Sequence, residues 1–427
     1  HSYGYSPFVI DISGKVKCDG SDFLVIRVNN SIQPSCRWYS GSGIYRNAYI
    51  IIKDQVHVPL DGVFVSLMEN ENDTARILIE TEIINRSEKI ISLKLISTIL
   101  DGDSNQVGRK EEKCVMEGNS FIKKSQLMNI SPYKEWNLEN PYLYKVETQL
   151  LSKNNILDMD TNDFGIRTID FNELGFFLNN KLTLLKGVCL HHDGGCVGAV
   201  VPSKVWKRRL LKLKSMGCNA IRTAHNPPSK VFLDLCDKMG FLVVDEAFDA
   251  WYEPKRIGGL GGISFLKHWK QELSSFVRRD RNHPSVVLWS LGNEIGYAQT
   301  WLGLKYHDKM KELVNSIDGS RPVTTTFSPR NVRIEQKRIN KGKGKLLGDR
   351  CDVICMNYTE SRIPLFHKTW PRKSIIIGEA HHYYRNKLPA ETHLPESPLH
   401  PGCTTRNPWY DVLEHDCCCG QFLWVGI

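Results

Sequence analysis

No apolar run in the 427 residues approaches the roughly 20 that a membrane-spanning helix needs, so no such helix is expected. There is no Cys-x-x-Cys pair spaced for zinc, although the chain holds 13 cysteines. Cys189, Cys218, Cys236 and Cys355 fall in apolar stretches, where a thiol is expected to behave as a small buried hydrophobe. Adjacent cysteines rarely meet disulfide geometry, so neither a redox nor a metal role is expected of Cys417-Cys418-Cys419. The amino terminus, His1-Ser2-Tyr3-Gly4-Tyr5, has neither a basic start nor an apolar stretch, so it shows no signal peptide. The compartment stays open between periplasmic, secreted and cytoplasmic. A formal charge of +9 raises the question of nucleic acid, but much of the excess lies in Arg330–Lys345. There Lys337, Arg338, Lys341, Lys343 and Lys345 mix with Gly and Asn, which predicts a solvated loop and no nucleic-acid partner.

What is present is the composition of a soluble globular protein, 41% hydrophobic and 24% charged, at a length that fits two or three domains. Residues 1–47 show short alternating stretches such as Phe23–Val28, read as strands. From 48 to 167, strand patterns follow one another without helical periodicity, most clearly at Val63–Met68, Ala75–Ile83, Ile91–Ile99 and Leu143–Leu151. Evenly spaced strands of this kind predict an immunoglobulin-like β-sandwich. From 168 to 427 strands alternate with helical stretches, which implies βαβ units. Eight strands are expected there: Leu184–Val188, Ala220–Arg222, Leu242–Asp245, Val287–Leu291, Val323–Thr326, Val353–Met356, Ile375–Ile377 and Phe422–Val425. The helical stretches Lys204–Met216 and Ser229–Met239 are each followed by a glycine, Gly217 and Gly240, the residue favoured just past a helix end. The fold class expected is therefore multidomain, β plus α/β. Its last part is a (β/α)₈ TIM barrel lacking its final helix, as in a fragment of a longer protein.

The chemistry is concentrated at two strand ends. The turn Arg281-Asn282-His283-Pro284 leads into the apolar run Val286–Leu291, then Gly292, Asn293 and Glu294. A second run, Ile375-Ile376-Ile377-Gly378, delivers Glu379. Two carboxylates at the carboxyl ends of buried strands are what double-displacement glycoside hydrolysis requires. These segments resemble the acid/base and nucleophile motifs of glycoside hydrolase family 2, which holds β-galactosidases, β-glucuronidases and β-mannosidases. Agreement continues in Gly187–Asp193, Asn219–Pro228, Asp245–Trp251 and Ser40–Arg46, almost end to end.

The resemblance implies that residues 1–47 are the carboxyl-terminal part of a sugar-binding jelly roll. It implies a retaining exo-β-glycosidase acting on a β-galactoside, with Glu294 as acid/base and Glu379 as nucleophile. Glu294 would need a raised pKa to donate a proton near neutrality, while Glu379 must stay ionised. Asn293 is implied to bond the sugar 2-hydroxyl, Arg222 to pair with the nucleophile, and Tyr358 to touch it through its hydroxyl. His191, His225 and Asn226 would line the sugar pocket, and Trp424 would form its apolar floor. No metal or other cofactor is expected. The His191-His192 pair has no clear third ligand, and Asp245–Trp251 has no His where some relatives bind a divalent cation. Further departures are His381-His382-Tyr383-Tyr384-Arg385 and Cys417–Cys419, the latter predicting a poorly packed eighth strand. Leu291–Gly296 favours the galactosidase branch, with β-glucuronidase, β-mannosidase and an inactive sugar-binding fragment as alternatives; a homo-oligomer stays open.

Overall fold

Eight strands with alternating buried and exposed side chains occupy the stretch before residue 165 in the computed structural model. The structure describes residues 1, 3–17, 19–256, 261–342, 346–381 and 408–426. The strands are β1 (Val56–His57), β2 (Val63–Glu71), β3 (Thr74–Asn85), β4 (Ile91–Leu100), β5 (Gln106–Met116), β6 (Ser120–Ile130), β7 (Tyr144–Ser152) and β8 (Asn155–Phe164). One antiparallel sheet groups β1, β2 and β6 around β3, and the other runs β5-β4-β7-β8. Every second residue of β3 is buried, and Ile77, Ile79 and Ile83 meet Leu95, Ile99 and Val146 from the other sheet in one core. A two-sheet sandwich follows directly from that period-two pattern.

The expected strand at Phe23–Val28 is not formed, and the described residues before Val56 contain no strand. Phe23 is 90% and Val25 86% exposed. A strand's backbone groups need a neighbouring strand, and nothing pairs with this segment, so its alternation alone does not make a sheet.

A small sheet of β9 (Ile169–Asn172), β10 (Gly175–Leu178) and β11 (Lys181–Leu182) precedes the barrel. The barrel then reads β12 (Leu185–Leu190), α1 (Ser203–Ser215), β13 (Ala220–Thr223), α2 (Lys230–Met239), β14 (Leu242–Glu246), α3 (Gly262–Asp280), β15 (Val286–Asn293) and α4 (Trp301–Ile317). It continues with β16 (Val323–Phe327), α5 (Pro329–Asn340), α6 (Leu347–Arg350), β17 (Ile354–Asn357), α7 (Ile363–Thr369), β18 (Ile375–His381), α8 (Pro408–Leu413) and β19 (Cys418–Trp424). The strands β12 to β19 close into a parallel barrel in chain order, so all eight expected strands are present. Gly240 caps α2 in the left-handed conformation, φ 67°, as its position in the sequence suggested.

Two further expectations are corrected. The basic stretch after residue 329 is a helix, α5, not a loop. Ser328 accepts from the Asn331 amide while Asn331 Oδ1 accepts from the Ser328 amide, and Pro329 sits in the first turn. Val332 and Glu335 face inward, and the cations lie mostly outward. Lys343 and Lys345, like His382–Arg385, lie outside the described residues. The second correction concerns the eighth strand, which is well packed. Cys418, Cys419 and Phe422 are buried, and β19 pairs with both β18 and β12. A thiol is small and apolar enough to serve as core. No disulfide occurs among the described cysteines, and Cys218 is only half-buried.

The sandwich and the amino-terminal segment take opposite ends of the barrel. Asn282, just before β15, exchanges bonds of 2.9 and 3.0 Å with Val63 and Val65 of the sandwich. Trp136 Nε1 donates to the Asp237 carbonyl at 2.8 Å. At the carboxyl ends of the strands, Arg37 bonds Asp249, Tyr39 offers its carbonyl to His192 at 2.9 Å, and Arg46 donates to the Pro227 carbonyl at 2.7 Å.

Candidate active site

Every candidate from the sequence lies on this carboxyl-terminal face. Arg222 is on β13, with His225 and Asn226 just beyond it, and His191 follows β12. Asn293 is the last residue of β15 and Glu294 the next; Tyr358 follows β17, and Trp424 ends β19. Glu379 lies inside β18, two residues before its end.

Arg222 is the hub. Its side chain is fully buried and donates from Nη1 to Glu379 Oε1 at 3.0 Å. From Nη2 it donates to Asn293 Oδ1 at 3.0 Å and to both oxygens of Glu246, at 3.0 and 2.8 Å. Nη1 also reaches the Gly378 carbonyl at 3.0 Å. Gly378 must be glycine, because an added Cβ would stand 2.6 Å from Cys355 Sγ and 2.9 Å from Asn357 Oδ1. Five donors in a fixed planar fork suit this shared duty, and lysine could not replace them.

Glu246 was not singled out as a site residue by sequence, although it stands in a quoted motif. Burial would raise its pKa, but Arg222, His225 and a 2.6 Å bond from Ser290 Oγ hold the carboxyl down to about 2. His225 Nδ1 lies 2.8 Å from Glu246 and its Nε2 3.7 Å from Glu379. The Tyr358 hydroxyl bonds Glu379, and burial together with that carboxylate raises the phenol well above its ordinary value. Glu294 takes a 3.1 Å bond from Asn357 Nδ2. The two glutamates are thus tied to one polar network through Arg222, Asn293 and Asn357.

Glu294 and Tyr358 both have left-handed backbone conformations, φ 47° and 53°. Each costs a non-glycine residue on the order of 1–3 kcal/mol, and such outliers gather where side-chain aim matters more than local comfort.

An aromatic wall faces these polar groups. The His225 ring stacks on Trp424 at 5.2 Å and 10°, and His191 stacks on Trp38 at 5.2 Å and 17°. Burial lowers the His191 pKa to about 4, so the ring is neutral near pH 7. Asn226 is buried, and its Nδ2 has no hydrogen-bond partner among the described residues. His192 points away, onto the Tyr39 carbonyl, so the adjacent histidines do not converge.

The sequence reading missed Asp249, Arg37 and Lys255. Arg37 forks onto both oxygens of Asp249 at 2.9 and 2.7 Å, Lys255 adds 3.0 Å, and Asn293 Nδ2 adds 3.2 Å. Burial would raise the Asp249 carboxyl, yet Lys255, His225 and Arg37 hold it far below the usual range. Nothing local in the sequence links Arg37 to a residue 212 positions away. Both acidic residues after the third barrel strand thus carry protein cations. The one cluster with metal-like spacing among the described residues is Asp234, Asp237 and His283, at the other end of the barrel. It is occupied internally, because Asp237 accepts from the Ser285 amide and Asp234 from Lys230.

Comparison with known proteins matches residues 169–360 to the model "Glycosyl hydrolases family 2, TIM barrel domain". Residues 56–167 match "Glycosyl hydrolases family 2". A β-galactosidase from Bacteroides ovatus is 32% identical over 88% of this chain and 47% of its own length. A putative β-glucuronidase from Formosa agariphila is 36% identical over 68% of the chain and 27% of its length. A crystal structure of a family 2 glycosyl hydrolase from Bacteroides cellulosilyticus superimposes with a TM-score of 0.81 at 32% identity, covering 93% of this chain and 50% of that one. The chain spans half or less of the length of these relatives.

Proposed function

Because the chain belongs to glycoside hydrolase family 2, we propose that it carries the catalytic centre of a retaining exo-β-glycosidase. The reaction is removal of terminal non-reducing β-D-galactosyl residues by double displacement. In this reading Glu379 attacks the anomeric carbon while Glu294 gives its proton to the departing glycosidic oxygen. Glu294 then takes a proton from water as that water displaces Glu379 from the glycosyl-enzyme, with retention overall.

The observation that carries the reading is the single guanidinium shared between Glu379 and Asn293, the residue before Glu294. The Arg222 guanidinium, 3.0 Å from Glu379 Oε1, holds that carboxyl group in position for attack. The same cation polarises Asn293, which in this reading bonds the sugar 2-hydroxyl as positive charge develops on the ring. Tyr358 adds a donor to the nucleophile, and Trp424 with His225 offers an apolar surface to the sugar. His191, neutral at pH 7, and Asn226 supply hydroxyl contacts. The balanced charges around Glu246 and Asp249 favour a mechanism without a divalent cation.

A galactosyl substrate is favoured by Leu291–Gly296 and by the name of the Bacteroides ovatus relative. The glucuronidase name of the Formosa agariphila relative supports a β-glucuronide as second reading. A panel of 4-nitrophenyl β-glycosides, assayed with the protein at its natural full length, tests both. Hydrolysis fastest on the galactoside, with NMR showing the β-anomer first, is the expected result. Preference for the glucuronide would move the substrate, and no turnover on any glycoside would remove the enzymatic reading in favour of a sugar-binding role.

A further inference from the structure

We propose that Arg37 is a positioning residue for Asn293, acting through Asp249, so that the segment before the sandwich sets the geometry of the reaction centre. The inference rests on the double-displacement reading of the site.

The two ends of a side-chain amide are nearly equal in size, so hydrogen bonding, not packing, decides which end faces where. Asn293 Oδ1 faces Arg222 Nη2 at 3.0 Å, and its Nδ2 faces Asp249 Oδ1 at 3.2 Å. That second contact is strongest while Asp249 is ionised, because a charged oxygen accepts more strongly than the carbonyl oxygen of a neutral acid. Asp249 is almost wholly buried, with its side chain 5% exposed, and a carboxylate in such a place needs cations to stay charged. Arg37 supplies one with a fork that satisfies both oxygens, at 2.9 and 2.7 Å. Lys255 supplies the other, but its ammonium is divided between Asp249 Oδ1 and the Asn293 carbonyl, at 3.0 and 2.7 Å. His225 and the Tyr3 phenol also face Asp249, the first favouring its charge and the second opposing it.

Without Arg37, Oδ2 loses its bidentate donor and the carboxyl has reason to take up a proton. A neutral carboxyl accepts more weakly at its carbonyl oxygen, and one released from the fork is free to turn its O–H toward Asn293 Nδ2; in either case the hold on the amide is loosened. The contact then lost is the one to the sugar 2-hydroxyl, which strengthens only in the transition state and therefore governs kcat rather than KM.

Arg37→Met and Arg37→Lys, made in the protein at its natural full length, are assayed on 4-nitrophenyl β-galactoside and on its 2-deoxy analogue. Arg37→Met is expected to lower kcat on the galactoside about 10- to 100-fold, as loss of a supporting partner commonly does. KM should change less than about threefold, and Arg37→Lys should restore part of the loss. On the 2-deoxy substrate, which lacks the hydroxyl, Arg37→Met and wild type should turn over alike. Unchanged kcat, or an equal loss on both substrates, would overturn the inference, the latter making Arg37 a general anchor. A crystal structure of Arg37→Met decides independently of activity: Asn293 turned from Arg222 supports the proposal, and Asn293 in place with Oδ1 on Arg222 refutes it. Wild-type protein inactive on every glycoside would refute the proposed function and leave that structural arm to decide the role of Arg37.

Discussion

Replacing Glu246 by Gln removes the charge that anchors Arg222 while keeping the shape of the side chain. Three bonds of 2.8–3.2 Å join the two residues, and neither side chain has any solvent exposure. The carboxyl ionises near 2 in the fold, against an ordinary value of 4.5. That difference corresponds to roughly 3 kcal/mol of stability at neutral pH. Breaking a buried pair by removing one partner commonly costs about 3–5 kcal/mol, because the other charge is left desolvated. The two routes agree, so Glu246→Gln should destabilise the barrel by about 3–5 kcal/mol and lower its Tm by roughly 6–20 °C. Folding lowers this pKa, so the stabilisation is complete above pH 4.5 and drains away as the pH falls toward 2. Linkage removes about 2 kcal/mol between pH 7 and pH 3, so the gap between wild type and variant should narrow to roughly 1–3 kcal/mol. Denaturant unfolding at pH 7 and pH 3 measures both quantities. A loss below about 1 kcal/mol at pH 7, or a gap that does not narrow at pH 3, would refute the argument that Glu246 acts as a buried counter-charge.

Further outcomes follow from the same geometry. Glu379→Gln should abolish turnover on every substrate, whereas Glu294→Ala should keep its first step on good leaving groups and be rescued by azide as a β-glycosyl azide. An α-glycosyl azide from a position-379 variant would mark Glu379 as the nucleophile, whereas a β-glycosyl azide from that variant would show that the two roles are exchanged. Prolonged dialysis against EDTA should leave kcat and KM unchanged, since protein cations already neutralise Glu246 and Asp249; activity restored only by a divalent ion would contradict this. Cys196 is exposed, whereas burial pushes Cys417 up to about 11 and Cys418 up to about 12. At pH 8 a thiol reagent should therefore, among the described cysteines, modify Cys196 first and Cys417–Cys419 only on unfolding, as peptide mapping of the labelled protein would show; early labelling of the triplet would mean that β19 is not core.

Much of the molecule is legible in the sequence, because the relevant signals are local. Runs such as Val286–Leu291 and Ile375–Ile377 are buried strands by composition alone, and the residues that follow them must emerge at one end of a parallel barrel. That is why Glu294 and Glu379 could be named from their places on strands, while Arg222 and Asn293 were named through the family resemblance. The sandwich was equally readable from the period-two burial of segments such as Ala75–Ile83. Where the signal was local but weaker, reading failed. The basic letters after residue 329 outweighed the Ser328–Asn331 cap, and the triple cysteine obscured a strand that packs well.

Tertiary structure alone decided the rest, since the deciding contacts join residues far apart in the chain. Alternation at Phe23–Val28 is a property of the sequence, but a strand exists only if another supplies its hydrogen bonds, and none among the described residues does. Glu246 and Asp249 are ordinary acidic letters until the fold buries them; burial then forces each to find cations, Arg222 for one and Arg37 with Lys255 for the other. A desolvated charge cannot remain unpaired, and which distant residue meets that demand is set by how the amino-terminal segment and the barrel pack together.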